Sequence, residues 1–182
     1  MQRNFGSLDR REAVKTLLAD RGNLLVVSGL GSSSYDVFDV GENLANFYLW
    51  GAMGGAAMVG LGLALAQPKR PVAVVTGDGE QLMGLGSLLT VAAKKPANLS
   101  IIVLDNGHFG ETGMQKSHSG LGARLKVIAA ARALRRSRRS AISKASPRFA
   151  ASCKISMARI LRASISALPM SSAHCRRATA CS

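Results

Sequence analysis

A single break at Gly122 constrains this chain more than any motif does. All 19 glycines lie at or before it, all ten acidic residues lie before it, and the three cysteines (Cys153, Cys175 and Cys181) lie after it. Residues 1–122 carry ten Lys or Arg against ten Asp or Glu, so the formal net charge of +14 belongs wholly to residues 123–182. Those 60 residues also lack Asn, Gln, Trp and Tyr, and 37 of them are Ala, Ser or Arg. Ordinary usage would place about four glycines and about seven acids in a segment of that length. The first segment has turn formers, balanced charge and enough length to bury a core. The second cannot neutralise its own charge.

Three readings of the basic segment stand side by side. It is a basic arm for nucleic acid or acidic lipid, densest at Arg135-Arg136-Ser137-Arg138-Arg139. Or it is a disordered terminal extension. Or it is the product of a shifted reading frame, since a GC-rich gene read out of frame is rich in Arg, Ala and Ser codons. The third is favoured, because the domain before the break stops partway through its fold. The nucleic-acid reading lacks aromatic interleaving, Phe149 being the one aromatic residue beyond the break. Three cysteines without metal or disulfide spacing carry no redox meaning. The expected organisation is a domain over 1–122 and a frameshifted or disordered basic tail over 123–182.

Within the first segment, helical and strand patterns alternate. Ala13, Val14, Leu17 and Leu18 recur at helical spacing in residues 8–21. Leu24 to Val27 reads as a short buried strand ending in Ser28-Gly29, and residues 29–43 read as loop. A helix is expected from near Met53 to Gln67, a strand over Val72–Val75, and a helix from about Glu80 to Lys95. Its buried stripe would be Leu82, Leu85, Leu88, Leu89 and Ala92, with Gly84 and Gly86 weakening the early turns. Ser100 to Leu104 reads as a further strand. Fully apolar strands alternating with helices predict an α/β fold, a three-layer α/β/α parallel sheet that is C-terminally incomplete.

Phe47 to Ala66 is uncharged over twenty residues, the length of a membrane span. Its five glycines, with Gly51 to Gly55 reading as a turn, favour a buried helix instead. Met1 to Arg11 is polar and charged, so no signal sequence is read and a cytoplasmic location is the default expectation. Gly29-Leu30-Gly31 follows a strand but has Ser34 where a dinucleotide fingerprint needs glycine, and Gly60-Leu61-Gly62 falls inside a helix. Neither is a Rossmann turn.

The stretch that carries chemistry is Gly77-Asp78-Gly79-Glu80, followed after 25 residues by Asn106-Gly107-His108-Phe109-Gly110. Asp78 and Asn106 each end a predicted strand, and in a parallel sheet those ends share the edge where ligands bind. A carboxylate and an amide oxygen there form a hard donor set suited to Mg²⁺, which keeps phosphate ligands of its own. Glycines beside Asp78 let the backbone approach a diphosphate, and the next helix offers it an N-terminus. Either turn alone is an ordinary turn; the pair at this spacing on consecutive strands points to a site.

Residues 5–122 resemble the cofactor-binding (PP) domain of thiamine diphosphate-dependent decarboxylases and synthases, in the Gly77-Asp78-Gly79…Asn106 motif and in Gly51-Ala52-Met53-Gly54. The resemblance implies the thiamine diphosphate-binding fold, with thiamine diphosphate and Mg²⁺ as cofactors. It implies that Gly51 offers its carbonyl to the 4′-amino group of the cofactor and that Met53 wedges beneath it. It assigns the metal to the side chains of Asp78 and Asn106 and the carbonyl of His108. Gly77, Gly79, Glu80, Phe109, Gly110 and Glu111 would complete the cofactor site. Two positions depart from the pattern: Glu80 stands where the family often has a small residue, and Asp105 replaces the first of two asparagines.

Residues 106–113 (NGHFGETG) are most similar to the sulfopyruvate decarboxylase β chain and the C-terminal half of phosphonopyruvate decarboxylase. A 2-oxo acid decarboxylase (a lyase) acting on a 3-substituted pyruvate is therefore expected, with the cofactor accepting the electron pair released by carbon dioxide. The family's activating glutamate comes from a separate Pyr domain. A Pyr-domain partner subunit in a hetero-oligomer is thus expected, and the altered C-terminus could leave the chain inactive. His118 is the one candidate for contact with substrate, although an exposed loop histidine is its plainer reading. The competing function is nucleic-acid binding through the basic tail; membrane insertion is not expected.

Overall fold

The computed structural model describes residues 9–130. The readings placed on 131–182, among them the arginine cluster at 135–139 and the three cysteines, lie outside the described residues.

Four strands form one parallel sheet in the order β2-β1-β3-β4. They are β1 (Leu25–Ser28), β2 (Asn46–Tyr48), β3 (Val72–Gly77) and β4 (Leu99–Leu104). The central strand β3 is buried from Val72 to Thr76 and pairs in register from Val72↔Leu99 to Gly77↔Leu104. A strand covered on both faces needs apolar residues at every position rather than at alternate ones. That is why Val72-Ala73-Val74-Val75 shows no alternation.

One face is covered by α1 (Arg10–Leu18) and α2 (Ser32–Asp39), where Val14, Leu17, Leu18 and Val37 join Val26, Val75 and Ile102. Asp9 starts α1 by accepting from the backbone N–H groups of Arg11 and Glu12 at 2.8 and 3.0 Å. On the other face α3 (Ala56–Ala66) and α5 (Ser87–Lys94) pack Ala56, Leu61, Ala64 and Val91 against Val27, Val74 and Leu99. A Cβ at Gly60 would stand 2.2 Å from a methyl of Val74, so this glycine lets α3 lie close on β3. The expected three-layer α/β/α arrangement is present.

Four local readings are corrected. Residues 29–43 are not a loop throughout, because α2 occupies Ser32–Asp39; Ser33 and Ser34 are buried, with Ser34 Oγ donating to the Gly29 carbonyl at 2.7 Å. The edge strand β2, which ends at Tyr48, falls across the start of the uncharged run and was not expected. The helix expected from Glu80 to Lys95 is two helices, α4 (Asp78–Met83) and α5, divided at Gly84. A third helix, α3, starts at Ala56 rather than near Met53, because Gly51 to Gly55 is spent on a turn. At eleven residues α3 is short, and among the described residues no helix is long and apolar enough to cross a membrane.

After β4 the chain makes a small antiparallel hairpin, β5 (His108–Phe109) with β6 (Gln115–Lys116), around a 3₁₀ turn at Gly110–Thr112. Beyond the compositional break, α6 (Leu125–Ala130) buries Leu125 and leaves Val127 and Ile128 exposed.

Candidate functional site

A cavity of about 330 Å³ opens at the carboxyl edge of the sheet. Of the residues singled out in the sequence, Met53, Gly77, Glu80 and Asn106 line it, as do Phe109, Gly110 and Glu111. Gly51, Asp78, Gly79 and His108 are not in its wall. Asp78 is buried beneath Gly77, and the Phe109 ring covers Gly79, where a Cβ would meet the ring at 2.4 Å. His118 is exposed and does not reach the cavity.

Asp78 opens α4 directly after the last residue of β3, and Asn106 lies two residues past β4, so both stand on one edge. The Asp78 carboxylate is 2% exposed and accepts a short hydrogen bond from the Ser117 hydroxyl. Burial pushes this carboxyl above its ordinary value; the Ser117 bond opposes the shift, the neighbouring charge of Asp105 adds to it, and the amides of Asp78 and Asn106 oppose it. Asn106 Oδ1 accepts the His108 N–H at 2.9 Å, which folds the turn and leaves a second lone pair on that oxygen. His108 Nδ1 lies 2.9 Å from the Asn106 carbonyl oxygen, a bond made when Nδ1 carries the proton.

Ser117 and Ser119 were not singled out in the sequence, yet they clasp the two strand ends. Ser117 holds Asp78, while Ser119 Oγ lies 2.8 and 2.7 Å from the two carboxylate oxygens of Asp105. Backbone bonds fix the clasp: Ser117 N–H donates to the Gly107 carbonyl at 2.9 Å. Gly120 packs so closely on that carbonyl that a Cβ would stand 2.2 Å from the oxygen. A pair of serines in a polar loop gives no periodic signal, so only the three-dimensional return of the chain reveals them.

Glu80 turns away from open solvent. Its Oε2 accepts from Thr76 Oγ1 at 2.8 Å and from the Leu30 N–H at 3.0 Å, tying the β1–α2 turn to the end of β3. Gly29 is the only residue type that fits beside it, since a Cβ there would stand 1.7 Å from that oxygen. The other oxygen, Oε1, is buried without a hydrogen-bond partner. The sequence also missed Arg10, Leu30, Ser32 and Ser33, which line the cavity from α1, the β1–α2 turn and α2, far from the motif, and Met83 at the end of α4.

At the Met53 end the chain makes a turn in which Gly51, Ala52 and Gly54 have φ of +93°, +48° and +94°. Gly54 and Gly84 meet backbone to backbone: a Cβ on Gly84 would stand 2.1 Å from the Gly54 oxygen. That contact lies at the break between α4 and α5 and next to Met53.

The family model for the C-terminal TPP binding domain of thiamine pyrophosphate enzymes matches residues 29–159. The chain belongs to this family. Among curated relatives, a phosphonopyruvate decarboxylase of Streptomyces viridochromogenes is 48% identical over 123 residues, which is 67% of this chain and 30% of that protein. The sulfopyruvate decarboxylase β subunits of Methanothermobacter thermautotrophicus and Methanocaldococcus jannaschii are 41% and 39% identical. They are matched over 62% and 66% of this chain and 60% and 64% of their own lengths. The chain thus spans about a third to just under two thirds of these relatives. A structure described as a thiamin diphosphate-dependent enzyme from Mycobacterium smegmatis superposes with a TM-score of 0.52 at 20% identity. It covers 74% of this chain and 32% of that one, and it supports the fold alone.

The cavity fits the family's cofactor. A Cβ on Gly77, in the cavity wall, would meet no atom within 4 Å, and one on Gly110 would meet only the Met114 sulfur at 4.0 Å. A larger side chain at either place would project into that open space. Among the described residues no three His, Cys, Asp or Glu side chains converge as a metal cluster. The expected donor set is different: one carboxylate, one amide oxygen and one main-chain carbonyl, all hard oxygens.

Proposed function

We propose that this chain is the thiamine diphosphate- and Mg²⁺-binding subunit of a 2-oxo acid decarboxylase acting on a 3-substituted pyruvate of the sulfopyruvate or phosphonopyruvate class. The observation that carries this reading is the placement of Asp78 and Asn106 on adjacent parallel strand ends, beside a cavity that glycines keep open. The names of the sulfopyruvate and phosphonopyruvate decarboxylase relatives support the substrate class.

In this reading Asp78, the Asn106 side chain and the His108 carbonyl hold the metal. Gly77 and residues 109–111 border the diphosphate, with Gly79 packed behind the Phe109 ring. Thiamine diphosphate, when bound, would supply an electron sink for the bonding pair left on the 2-oxo carbon as the carboxylate departs as carbon dioxide. The chain's own share is positioning: Ser117 fixes the Asp78 carboxylate, Glu80 fixes the β1–α2 turn, and Met53 is held under the cofactor by the Gly54–Gly84 contact. The main-chain carbonyl of Gly51 would orient the aminopyrimidine. The activating glutamate would come from a Pyr-domain partner in a hetero-oligomer, and a cytoplasmic location suits such an enzyme.

The division at Gly122, with a frameshifted or disordered segment after it, belongs to this proposal; translating the underlying nucleotides in all three frames tests it. Function is tested by titrating thiamine diphosphate into the full chain and following Trp50, the single tryptophan, beside Gly51. Saturable binding that requires Mg²⁺ is expected. Carbon dioxide release from sulfopyruvate or phosphonopyruvate is expected only when a Pyr-domain chain is added. Absence of Mg²⁺-dependent binding, or turnover by the chain alone, would sink the reading.

A further inference from the structure

Arg10, the first residue of α1, reaches the cavity from outside the 29–159 stretch that the family model matches. Its Nε lies 2.8 and 3.0 Å from the two carboxylate oxygens of Asp36, which is fully buried in α2 one turn beyond Ser32. This pairing uses one edge of the guanidinium. The two terminal nitrogens have no partner among the described residues, and the side chain stays 23% exposed. Arg11 Nε stands 3.6 Å from the same carboxylate, so two guanidinium groups face this buried acid.

The rest of the cavity wall sharpens this. Among the described residues Arg10 is the one cation that lines it; the acids Glu80 and Glu111 share the wall, Glu80 Oε2 accepting from the Leu30 N–H and Glu111 Oε1 lying 3.4 Å from the Ser32 hydroxyl. A guanidinium presents a planar fork that matches phosphate, phosphonate, sulfonate and carboxylate oxygens two at a time. Asp36 has already fixed the rotamer, so little further entropy is lost when an anion binds. We propose that Arg10 is an oxyanion-binding residue of the cavity, receiving a tetrahedral phosphoryl, phosphonate or sulfonate group on its two terminal nitrogens.

The inference rests on the reading that the cavity holds such a ligand, and two sources share the chemistry: the cofactor's diphosphate and the substrate's 3-substituent. Removing Arg10 alone would strand a buried carboxylate, so the decisive variant is Arg10→Met with Asp36→Asn, compared with Asp36→Asn alone. Arg10→Lys is the second arm, since it keeps a cation beside Asp36 but loses the fork. Thermal melting of each full-length variant verifies folding. Thiamine diphosphate affinity with Mg²⁺ is read from Trp50, and KM for phosphonopyruvate and for pyruvate is read with a Pyr-domain chain present.

If the cofactor is the source, the double variant binds thiamine diphosphate about ten- to a hundredfold more weakly than Asp36→Asn, with Arg10→Lys between them. If the substrate is the source, cofactor affinity holds while KM rises by a similar factor for phosphonopyruvate and not for pyruvate. Equal cofactor affinity and equal KM in the double variant and Asp36→Asn overturn the assignment. So does an Arg10→Lys chain indistinguishable from wild type in both measurements. A wild-type chain that binds no thiamine diphosphate would instead strike the proposed function itself, so the two failures are distinct.

Discussion

At the end of the cavity formed by β3 and β4, Asp78, Asp105, Ser117 and Ser119 are each no more than 2% exposed and joined by side-chain hydrogen bonds. At the Met53 end the chain turns through three positive-φ residues, and Trp50 is 61% exposed with its ring edge-on to Tyr35 at a centroid distance of 5.7 Å. The first end is specified by contacts within this chain: every buried acid there has a donor. The second has the Gly54–Gly84 backbone contact, a Gly55 N–H bond to the Ala52 carbonyl and the Tyr35–Trp50 pair. Where polar groups are buried, shape follows from their need for partners. Where backbone is exposed, shape follows from sterics and from whatever packs against it next. In the proposed function the open end is the one a Pyr-domain chain completes.

The largest expected effect tests the buried end. Asp78→Asn keeps a side chain that can accept from Ser117 but removes the charge. Mg²⁺-dependent binding of thiamine diphosphate, followed by Trp50 fluorescence, should fall by more than about a hundredfold, given that even residues behind the ligands cost about ten- to a hundredfold. The same variant should melt at a higher temperature without metal. The Asp78 carboxyl is raised from its ordinary 3.8, so its ionisation opposes folding. The stability tied to its protonated form is fully present below the ordinary value and is lost as pH rises through the raised one. The metal-free chain should therefore melt at increasing temperature as pH falls from neutral toward the ordinary carboxylate range, and Asp78→Asn should flatten that slope. Asp36, raised mainly by burial, would keep part of it.

Next comes the open end. Gly84→Ala forces a methyl into the Gly54 carbonyl, an overpacking that costs about 1–3 kcal/mol. Because the clash lies against the turn, Trp50 emission should shift while the Ser117–Asp78 end is unchanged, and thiamine diphosphate should bind more weakly. An unshifted Trp50 spectrum would show that the turn does not depend on this contact.

Ser117→Ala separates positioning from ligation. Leaving a buried carboxylate oxygen without its donor costs about 1–3 kcal/mol, and loss of an orienting group behind a metal ligand weakens metal affinity about tenfold or more. Ser119→Ala acts on Asp105 and should cost stability with much less effect on Mg²⁺ affinity. Equal losses of Mg²⁺ affinity in the two variants would mean that the clasp acts as one structural unit rather than through Asp78.

What the sequence made legible follows the same divide. The sheet was readable because strands buried on both faces must be apolar throughout, as in Val72-Ala73-Val74-Val75. Asp78 and Asn106 were readable because strand ends on one edge are fixed by topology. The helix α2 was not, since serine and aspartate favour turns locally and only Val37 signals a buried face. It forms because Ser34 finds the Gly29 carbonyl and Asp36 finds Arg10, both tertiary bonds. The split at Gly84 was hidden for the same reason: a glycine within a helical pattern does not say which backbone approaches it. Glu80 could be marked as a departure, but its direction depended on Gly29, fifty-one residues earlier.

The smallest expected effect concerns Ala52, a non-glycine residue at φ +48° in the open turn. A left-handed conformation costs an L-residue about 1–2 kcal/mol that glycine does not incur. Glycine in turn adds about 0.4–1 kcal/mol of unfolded-state entropy. The two nearly cancel, so Ala52→Gly should shift stability by no more than about 1 kcal/mol. Its value lies in what happens to binding. If the Gly54–Gly84 contact sets the turn, Met53 stays in place and thiamine diphosphate affinity holds within about twofold, since no contact to the cavity wall is lost. If Ala52 itself restricts the turn, affinity falls at unchanged stability, because the variant turn must be ordered as the ligand binds. The first outcome is expected, since Gly84 at the junction of α4 and α5 abuts the Gly54 carbonyl directly, while the Ala52 carbonyl accepts from the Gly55 N–H within the turn at 2.8 Å. Titration of the variant beside wild type, with melting curves as the control, separates the two.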